Sequence, residues 1–279
     1  MKKIMSTLLL LVLAIGVASP GLSAQLPDLD SKNRARDRLN AGVQAFKSGE
    51  YDQATEDFKQ AKMLDPSFLN ARLYLATAYA AQFIPGAPGE ENTRMGEQAI
   101  EEFKGVLDID PKNLSAIDGI GSILYHMAGT PFDAAKFKES KSYQLKHIQI
   151  KPDDHVPYYW IGVIDWGIAF HANKSLREEY NRLEPSQIKD SDPMPITLAA
   201  RFREQVGMVV DEGIENLKKA MELQPEHDDA MAFLNLLYRQ KAELEPTPEL
   251  READVKTADD LVDQVKALKK KRLERNDPQ

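Results

Sequence analysis

The chain has no cysteine among its 279 residues. Disulfide bonds, thiolate metal sites and a lipid on an N-terminal cysteine are therefore excluded. The longest apolar run, Ile4 to Val17, has about 14 residues, whereas a membrane-spanning helix needs about 20. The HExxH motif, the G-x-S-x-G motif and a glycine-rich phosphate loop are also absent. The sequence therefore gives no indication of catalysis, of a bound metal or of another cofactor.

Residues 1–24 have the features of a secretory signal peptide. Two lysines precede the apolar run, and small residues follow it up to Ala24. Cleavage after Ala24 is the preferred site, and cleavage after Ala18 is the alternative because Leu22 occupies a position that favours a small residue. We therefore expect the mature protein to be periplasmic or secreted.

The chain is acidic, with a formal charge of −8 that becomes −10 when Lys2 and Lys3 leave with the signal peptide. Nonspecific nucleic-acid binding depends on basic side chains that neutralise phosphate, so we expect no nucleic-acid partner. We also expect no membrane span after cleavage. The basic run Lys269–Arg272 suits the negative end of a helix dipole, and contact with an anionic envelope surface is its alternative role.

Residues 36–66 read as two amphipathic helices joined by a turn at Gly49. Small and apolar residues recur at three- and four-residue steps, the spacing that places them on one face of a helix. Gly49 can adopt a positive φ in the turn, and Pro66 ends the second helix. The packing faces carry Leu39, Gly42, Val43 and Phe46 in the first helix and Ala54, Phe58, Ala61 and Leu64 in the second.

Related helix pairs follow along the chain. The third pair is the weakest match because Ser140 and Gln144 stand where its second helix should carry Ala and Phe. The pairs span residues 69–111, 114–152 and 155–225, and a further first helix spans 228–244.

Two insertions interrupt the pattern, at residues 84–92 and 171–212. In an alternative division of the sequence into repeats, an additional, poorly matched repeat ends at Pro185. We prefer an insertion because no turn separates Arg201 from Gly213. The second insertion is predicted to contain a short helix over 175–183, a loop over 184–195 and the start of a long helix at Ile196.

The two ends of the mature chain differ in character. Residues 25–33 are polar, and we expect them to form a flexible lead-in. Residues 249–279 are predicted to form a capping helix, with Thr257 as its N-cap and acidic residues in its first turn. A stack of helices needs such a polar end unit.

This pattern resembles the tetratricopeptide repeat, a unit of about 34 residues with a small residue in its first helix and Ala-x3-Phe, then Pro, in its second. The resemblance implies an all-α fold, a right-handed superhelical stack of hairpins over residues 34–248. Together with the signal peptide, it predicts an exported bacterial scaffold or assembly factor of the cell envelope. Such a protein is not an enzyme and binds a protein or peptide in a concave groove.

In that family the first helices line the groove. The resulting lining here is apolar and aromatic, which suits a peptide or a partner helix. It lacks the polar and charged residues with which some family members hold chaperone carboxylates, so a cytosolic co-chaperone is not expected. The alternative role of these first-helix residues is to pack in the core beneath the insertions, above all for Tyr159 and Trp166. The implied groove residues are Leu39, Val43, Phe46, Leu73, Thr77, Tyr125, His126, Tyr159, Val163, Trp166 and Arg239.

Two other functions stay open. An envelope enzyme acting on glycans or peptides would have its site in residues 171–212, and a polar cleft with converging carboxylates there would favour it. Self-association through the groove is the second alternative. The five histidines lack metal-site spacing. Asp165 lies in an apolar helix, and we interpret it as a hydrogen-bonded packing residue.

Overall fold

The computed structural model describes residues 28–276, which form ten α-helices and no β-strand. The predicted signal peptide, residues 1–24, lies outside the described residues. The helices are α1 (Leu29–Lys47), α2 (Tyr51–Leu64), α3 (Leu69–Gln82), α4 (Glu90–Ile109), α5 (Leu114–Ala128), α6 (Ala134–Ile150), α7 (His155–Leu183), α8 (Ile196–Leu223), α9 (Asp228–Leu244) and α10 (Pro248–Asn276).

Consecutive helices pack against one another, so the described chain is a stack of five helical hairpins. We call α1, α3, α5, α7 and α9 the first helices and their partners the second helices. First helices also pack on each other in the steps α1–α3, α3–α5 and α7–α9. The all-α solenoid expected from the sequence is confirmed.

Glycines in the first helices allow the two helices of a hairpin to approach closely. A Cβ atom on Gly42 would lie 2.6 Å from the Phe58 ring, and one on Gly162 would lie 2.3 Å from Leu217. Phe58 and Leu217 are completely buried. Each second-helix side chain therefore fills the space that a Cβ atom would need, and Gly42 and Phe58, which the sequence placed on the packing faces of the first hairpin, are in contact.

The apolar core is divided into two large clusters. One joins the first three hairpins, from Leu39 to Tyr143, and the other joins the last two, from Ala169 to Leu261. A small third cluster of Ala128, Phe137 and Ile164 lies between them. The third cluster joins α5, α6 and α7, and Ile168 of α7 packs against both it and the second large cluster.

The first helix begins earlier than the sequence predicts. The Asp28 carboxylate accepts a hydrogen bond from the Ser31 amide at 2.7 Å and so caps α1. Residues 29–33, which we expected in the flexible lead-in, are therefore helical. Residues 25–27 lie outside the described part of the chain.

The side chain of one asparagine stabilises the connection between α3 and α4 by hydrogen bonds to its backbone. The Asn92 side chain accepts a hydrogen bond from the Ile84 amide at 2.7 Å and donates to the carbonyls of Ile84 and Ala87, both at 2.9 Å. The connection covers residues 83–89, and residues 90–92 of the expected insertion form the first turn of α4.

The fourth hairpin contains the longer insertion. Helix α7 continues to Leu183, so the separate short helix predicted over 175–183 is wrong. Residues 171–174 contain neither proline nor glycine, and nothing in them ends the helix. Helix α8 is uninterrupted from Ile196. The insertion therefore lengthens both helices of one hairpin.

The last helix also begins earlier than predicted. Pro248 occupies its first position, which suits proline, and the Thr247 hydroxyl accepts a hydrogen bond from the Leu250 amide at 3.4 Å. Thr257, the predicted N-cap, lies inside the helix and donates to the Ala253 carbonyl at 2.9 Å. Within residues 28–276, no helix is both long and apolar enough to cross a membrane.

Candidate functional site: the seam between α7 and α9

Helices α7 and α9 lie side by side and run in the same direction, because their contacts advance together along both helices. We call this contact the α7–α9 seam. Its first two pairs are aromatic and its last two are polar. In order, they are Tyr159 with His227 (ring centroids 4.8 Å apart), Trp166 with Phe233 (5.3 Å), Asn173 Nδ2 with Gln240 Oε1 (2.9 Å) and Arg177 with Glu243 (3.2 Å).

The aromatic half of the seam is a connected row of rings. Phe233 packs edge-on against both Tyr159 and Trp166, with centroids 5.9 and 5.3 Å away. Trp166 stacks on Phe170, whose side chain is 48% exposed. Tyr159, Val163, Trp166 and Phe170 follow each other at steps of three or four residues, so they form one stripe along α7.

Rings also span the step between α5 and α7. Trp160 lies edge-on to Tyr125 at 5.3 Å and to His126 at 6.4 Å. At the other end of that step, Phe132 stacks on His171 with centroids 3.6 Å apart. The row of rings therefore reaches α5, and it brings together the predicted site residues of the third and fourth hairpins.

Burial favours the uncharged form of three rings in this row, Tyr159, His126 and His227. Burial raises the pKa of Tyr159 to about 12, and it lowers the pKa of His126. The pKa of His227 is lowered by burial and by the neighbouring His155 ring. Burial therefore opposes a charge on these three rings of the row.

The polar half of the seam opens into a cavity of about 750 Å³. Residues 184–195 border it, whereas residues 84–92 lie in the second hairpin and do not. Most lining side chains carry an amide, a carboxylate or a positive charge. The lining residues are Phe170, Asn173, Lys174, Arg177, Glu178, Asn181, Asp190, Ser191, Arg239, Gln240, Ala242, Glu243, Arg251 and Val255.

Glu243 organises the wall of the cavity. Its carboxylate pairs with Arg177 at 3.2 Å and with Arg251 at 3.1 Å, and it accepts the Met194 amide at 2.8 Å. Arg177 also donates to the Lys189 carbonyl at 2.9 Å, so the two ion pairs of Glu243 hold α7, α9, α10 and the 184–195 loop together. Both oxygens of Glu243 are occupied by donors.

The predicted site residues of the first two hairpins lie apart from the seam. Phe46 packs edge-on against Tyr51 at 5.2 Å, and the Thr77 hydroxyl donates to the Leu73 carbonyl at 2.8 Å. Val43, Phe46, Leu73 and Thr77 are partly exposed. Leu39 is only 9% exposed, so it lies in the core with little surface for a partner.

In the C-terminal half, the predicted residues differ in their access to solvent. Val163 is 2% exposed and therefore supports the stripe on α7 from beneath. Tyr159 and Trp166 are partly exposed, as are Tyr125 and His126. Arg239 lines the cavity and donates to Asp259 at 2.6 Å.

The sequence pattern did not identify Trp160, Phe170, Phe233 or the polar cavity. Phe170 could have been found by continuing the stripe of Trp166 along α7, which required treating that helix as unbroken. The cavity depends on the pairing of α7 with α9, more than sixty residues apart, and no local pattern contains that information. Among residues 28–276, no cluster of three or more candidate metal ligands is present.

Asp165, the acid that we expected to be a packing residue, is completely buried in α7. Its carboxylate pairs with the Lys141 ammonium at 2.8 Å. It lies at the contact with α6 and takes no part in the seam.

Comparison with known proteins identifies the fold. No protein-family model and no curated protein matches the chain. A solved MamA structure aligns with 15% identity over 88% of this chain and 98% of its own, at a TM-score of 0.56. MamA of Desulfovibrio magneticus RS-1 aligns with 18% identity over 86% of this chain and 97% of its own, at a TM-score of 0.55.

YrrB, described as a TPR protein with an unusual peptide-binding site, aligns with 16% identity over 83% of this chain and 88% of its own, at a TM-score of 0.51. At identities this low, the alignments show a shared fold and nothing more. The helix pairing, the glycine contacts and these structures agree, and the chain therefore has the fold of a tetratricopeptide-repeat α-solenoid.

Proposed function

We propose that the protein is a non-catalytic scaffold that binds a segment of a protein partner along the α7–α9 seam. The observation that carries this proposal is the row of aromatic side chains that leads into a polar cavity. Aromatic side chains give a large contact area at low entropic cost and are frequent at the centres of interfaces. The amide and guanidinium groups of the cavity can hydrogen-bond the main chain of a bound segment.

The comparison with YrrB supports the class of ligand, since that protein is described by its peptide-binding site. The partly exposed residues of the first two hairpins, Val43, Phe46, Leu73 and Thr77, would extend the surface for a longer partner. Leu39 and Val163 would stabilise it from the core.

We further propose that binding takes place in the cell envelope or outside the cell. Support comes from the basic start, the apolar run and the small residues of positions 1–24. The test is the intact mass of the protein purified from its native cells. We expect a mass that lacks residues 1–24 or 1–18 and a protein recovered with the periplasmic or secreted fraction. A full-length mass in the cytoplasmic fraction would contradict the proposal.

Photo-crosslinking in the native cells tests the seam. A photo-reactive phenylalanine analogue at Phe170 is compared with the same group at Met208, which is 87% exposed on α8. We expect defined adducts from position 170 alone, and we expect Trp166→Ala to weaken them. Equal adducts from both positions would show that exposure, rather than the seam, decides the crosslink.

Both tryptophans of the chain, Trp160 and Trp166, belong to the row of rings. A synthetic peptide of the crosslinked segment should therefore change the intrinsic fluorescence on binding. Truncation of a central aromatic anchor costs about 2 kcal/mol, which is roughly a thirtyfold loss of affinity for Trp166→Ala. A Met208→Ala variant should bind as tightly as the wild type.

The alternative is an envelope enzyme, because carboxylates of Glu178, Asp190 and Glu243 line the cavity. Glu243 has its oxygens occupied by two arginines and an amide, and Glu178 and Asp190 are exposed, so the cavity lacks a dry and unpaired acid. Hydrolysis of glycan strands or oligopeptides by the wild type, lost in Glu178→Gln or Asp190→Asn, would establish the enzyme.

Self-association through the same surface has a separate test. The mass in solution would double, and Trp166→Ala would return it to that of a monomer. If the wild type is a monomer, the partner that binds the seam is a different protein.

A further inference from the structure

The two helices of the seam begin side by side, and a histidine stands at the start of each. His155 is the first residue of α7, and His227 directly precedes the first residue of α9. The two rings are partly buried and perpendicular to each other, with centroids 5.0 Å apart. The His227 ring also packs against Tyr159 at 4.8 Å. The aromatic half of the seam therefore ends in two rings that can each take up a proton.

His227 is the N-cap of α9. Its Nδ1 atom accepts a hydrogen bond from the Ala230 amide at 3.3 Å. A ring nitrogen that accepts a hydrogen bond carries no proton, so the uncharged ring has its proton on Nε2. A further proton can only go to Nδ1, and it removes the acceptor that caps the helix. The cap and the uncharged state of the ring are therefore one and the same condition.

Other helices of the described chain, residues 28–276, have side-chain caps that do not depend on pH in this way. Their acceptors are oxygen atoms of aspartate, asparagine or threonine. The pKa values of the capping aspartates are lowered, so these carboxylates stay ionised in mild acid. The oxygen caps belong to Asp28 of α1, Asn113 of α5, Asp133 of α6, Asp154 of α7 and Thr247 of α10.

A charged His227 ring would be poorly accommodated. A positive charge at the N-terminus of a helix opposes the helix dipole, and two N-termini lie together here. Nδ1 of the adjacent His155 is buried without a hydrogen-bond partner. The acids of the turn favour the charge, but Asp228 is paired with Arg272 of α10 at 3.0 Å. The titratable and charged groups around the ring are His155 and Tyr159 of α7, Asp228 and Asp229 of the turn, and Lys269 and Arg272 of α10.

We propose that His227 couples partner binding to pH: the aromatic half of the seam holds its partner while the His227 ring is uncharged and releases it when the ring is protonated. This inference rests on the proposed function, which makes the seam the binding surface. Protonation breaks the cap of α9 and the packing against Tyr159. Phe233, which joins Tyr159 to Trp166, lies in the second turn of the same helix and is displaced with it.

The sign of the pH dependence follows from the charge of His227. Burial and then the His155 ring lower its pKa from the ordinary 6.5, against the opposing effect of Asp229 and Asp228. The uncharged form binds, so affinity is full above about pH 6.5 and decreases as the pH falls through the lowered pKa. One proton changes the affinity by at most about tenfold per pH unit. Between pH 7.5 and pH 5.0 the loss is therefore at most about thirtyfold.

NMR of the free protein with ¹⁵N-labelled histidine and tryptophan rings and backbone amides tests the cap without a partner. We expect the Nε2–H form of His227 at pH 7.5 and a single transition below pH 6.5. The Ala230 amide and the Trp166 indole should change with the same midpoint as the His227 ring. The Nδ1–H form at pH 7.5, or a His227 ring that titrates without a change at Ala230 and Trp166, would overturn the proposal.

Replacement of two N-caps by asparagine gives a matched pair of variants. His227→Asn supplies an acceptor that does not titrate, so the transition at Trp166 should disappear. Asp154→Asn makes the same change at the start of α7, where the carboxylate accepts the Val156 amide at 3.1 Å, and the transition should remain. A transition that persists in His227→Asn, or one that is lost in Asp154→Asn, would refute the role of His227.

Another variant leaves the cap of α9 in place. His155 lowers the pKa of His227, so His155→Phe should move the midpoint of the transition to higher pH. Phenylalanine keeps a ring against His227, and no hydrogen bond of His155 Nδ1 is lost. An unchanged or lower midpoint would contradict the assignment of the transition to His227.

The binding of the synthetic peptide of the crosslinked segment, followed by tryptophan fluorescence, tests the release. We expect its dissociation constant to be threefold to thirtyfold higher at pH 5.0 than at pH 7.5, and the same at both pH values in His227→Asn. Equal constants in the wild type would contradict the release. Absence of binding at both pH values would contradict the proposed function instead, and the NMR transition would then decide the pH-dependent cap by itself.

Discussion

Two glycines of α7 predict opposite effects of the same substitution. A Cβ atom on Gly162 would lie 2.3 Å from Leu217 Cγ and 2.7 and 2.9 Å from its two methyl groups, whereas one on Gly167 would meet Phe137 at 3.5 Å. Alanine is favoured over glycine inside a helix by about 1 kcal/mol, which applies to both positions. Only Gly162→Ala must also displace a completely buried leucine.

Overpacking of a core costs about 1–3 kcal/mol, and an overlap with Cγ belongs at the upper end, because a completely buried leucine can relieve it only by changing χ1 or by moving the helices apart. We therefore expect Gly162→Ala to lower the free energy of unfolding by about 2 kcal/mol net. Gly167→Ala should raise it by up to about 1 kcal/mol, because 3.5 Å is an ordinary van der Waals distance.

Urea denaturation followed by helical circular dichroism measures both changes, with the wild type as reference. The comparison is internal to one helix, so helix propensity cancels and the difference of about 3 kcal/mol reports the contact with Leu217. A stabilised Gly162→Ala would refute the reasoning, since it would mean that the fourth hairpin has room for a Cβ atom at its closest approach.

Three further effects follow from buried polar groups. Glu243→Gln should destabilise the protein by about 3 kcal/mol in urea, because it leaves the buried Arg177 without its counter-charge, while Glu178→Gln at the exposed rim should change little. His227→Asn should reduce the loss of thermal stability below about pH 6.5. The pKa of His227 is lowered in the folded protein, so acidification favours the unfolded chain, and this effect disappears with the histidine. Asparagine can replace His227 as the N-cap of α9. Gln144→Met should raise the unfolding temperature by removing an unpaired buried oxygen. Equal losses of stability in the two glutamate variants would contradict the first prediction. An acid response of His227→Asn equal to that of the wild type would contradict the second, and a lowered unfolding temperature of Gln144→Met would contradict the third.

The hairpins could be predicted from the sequence because each carries its own local information. Gly42, Phe58 and Pro66 mark a close contact, its filler and a helix end within one unit, and the structure places them accordingly. Helix starts were less predictable. Asp28 and Thr247 each begin a helix, while Thr257 has a similar acidic neighbourhood and lies inside one.

The site could be predicted only in part. Tyr159 and Trp166 stood out as aromatic residues of a first helix, and they do lie together on the seam. Burial of Leu39 and Val163 could not be read from the sequence, because it depends on how neighbouring hairpins stack. The polar cavity required the length of α7, and that length depends on the absence of a helix-ending residue rather than on a positive signal.

The parallel course of α7 and α9 has a consequence for any ligand that lies along them. The aromatic pairs are near the N-terminal ends of both helices and the amide and ionic pairs are near their C-terminal ends. An elongated ligand therefore meets two chemically different environments in a fixed sequence, and its own orientation is selected. A peptide with the same composition in reversed order should compete poorly with the natural one.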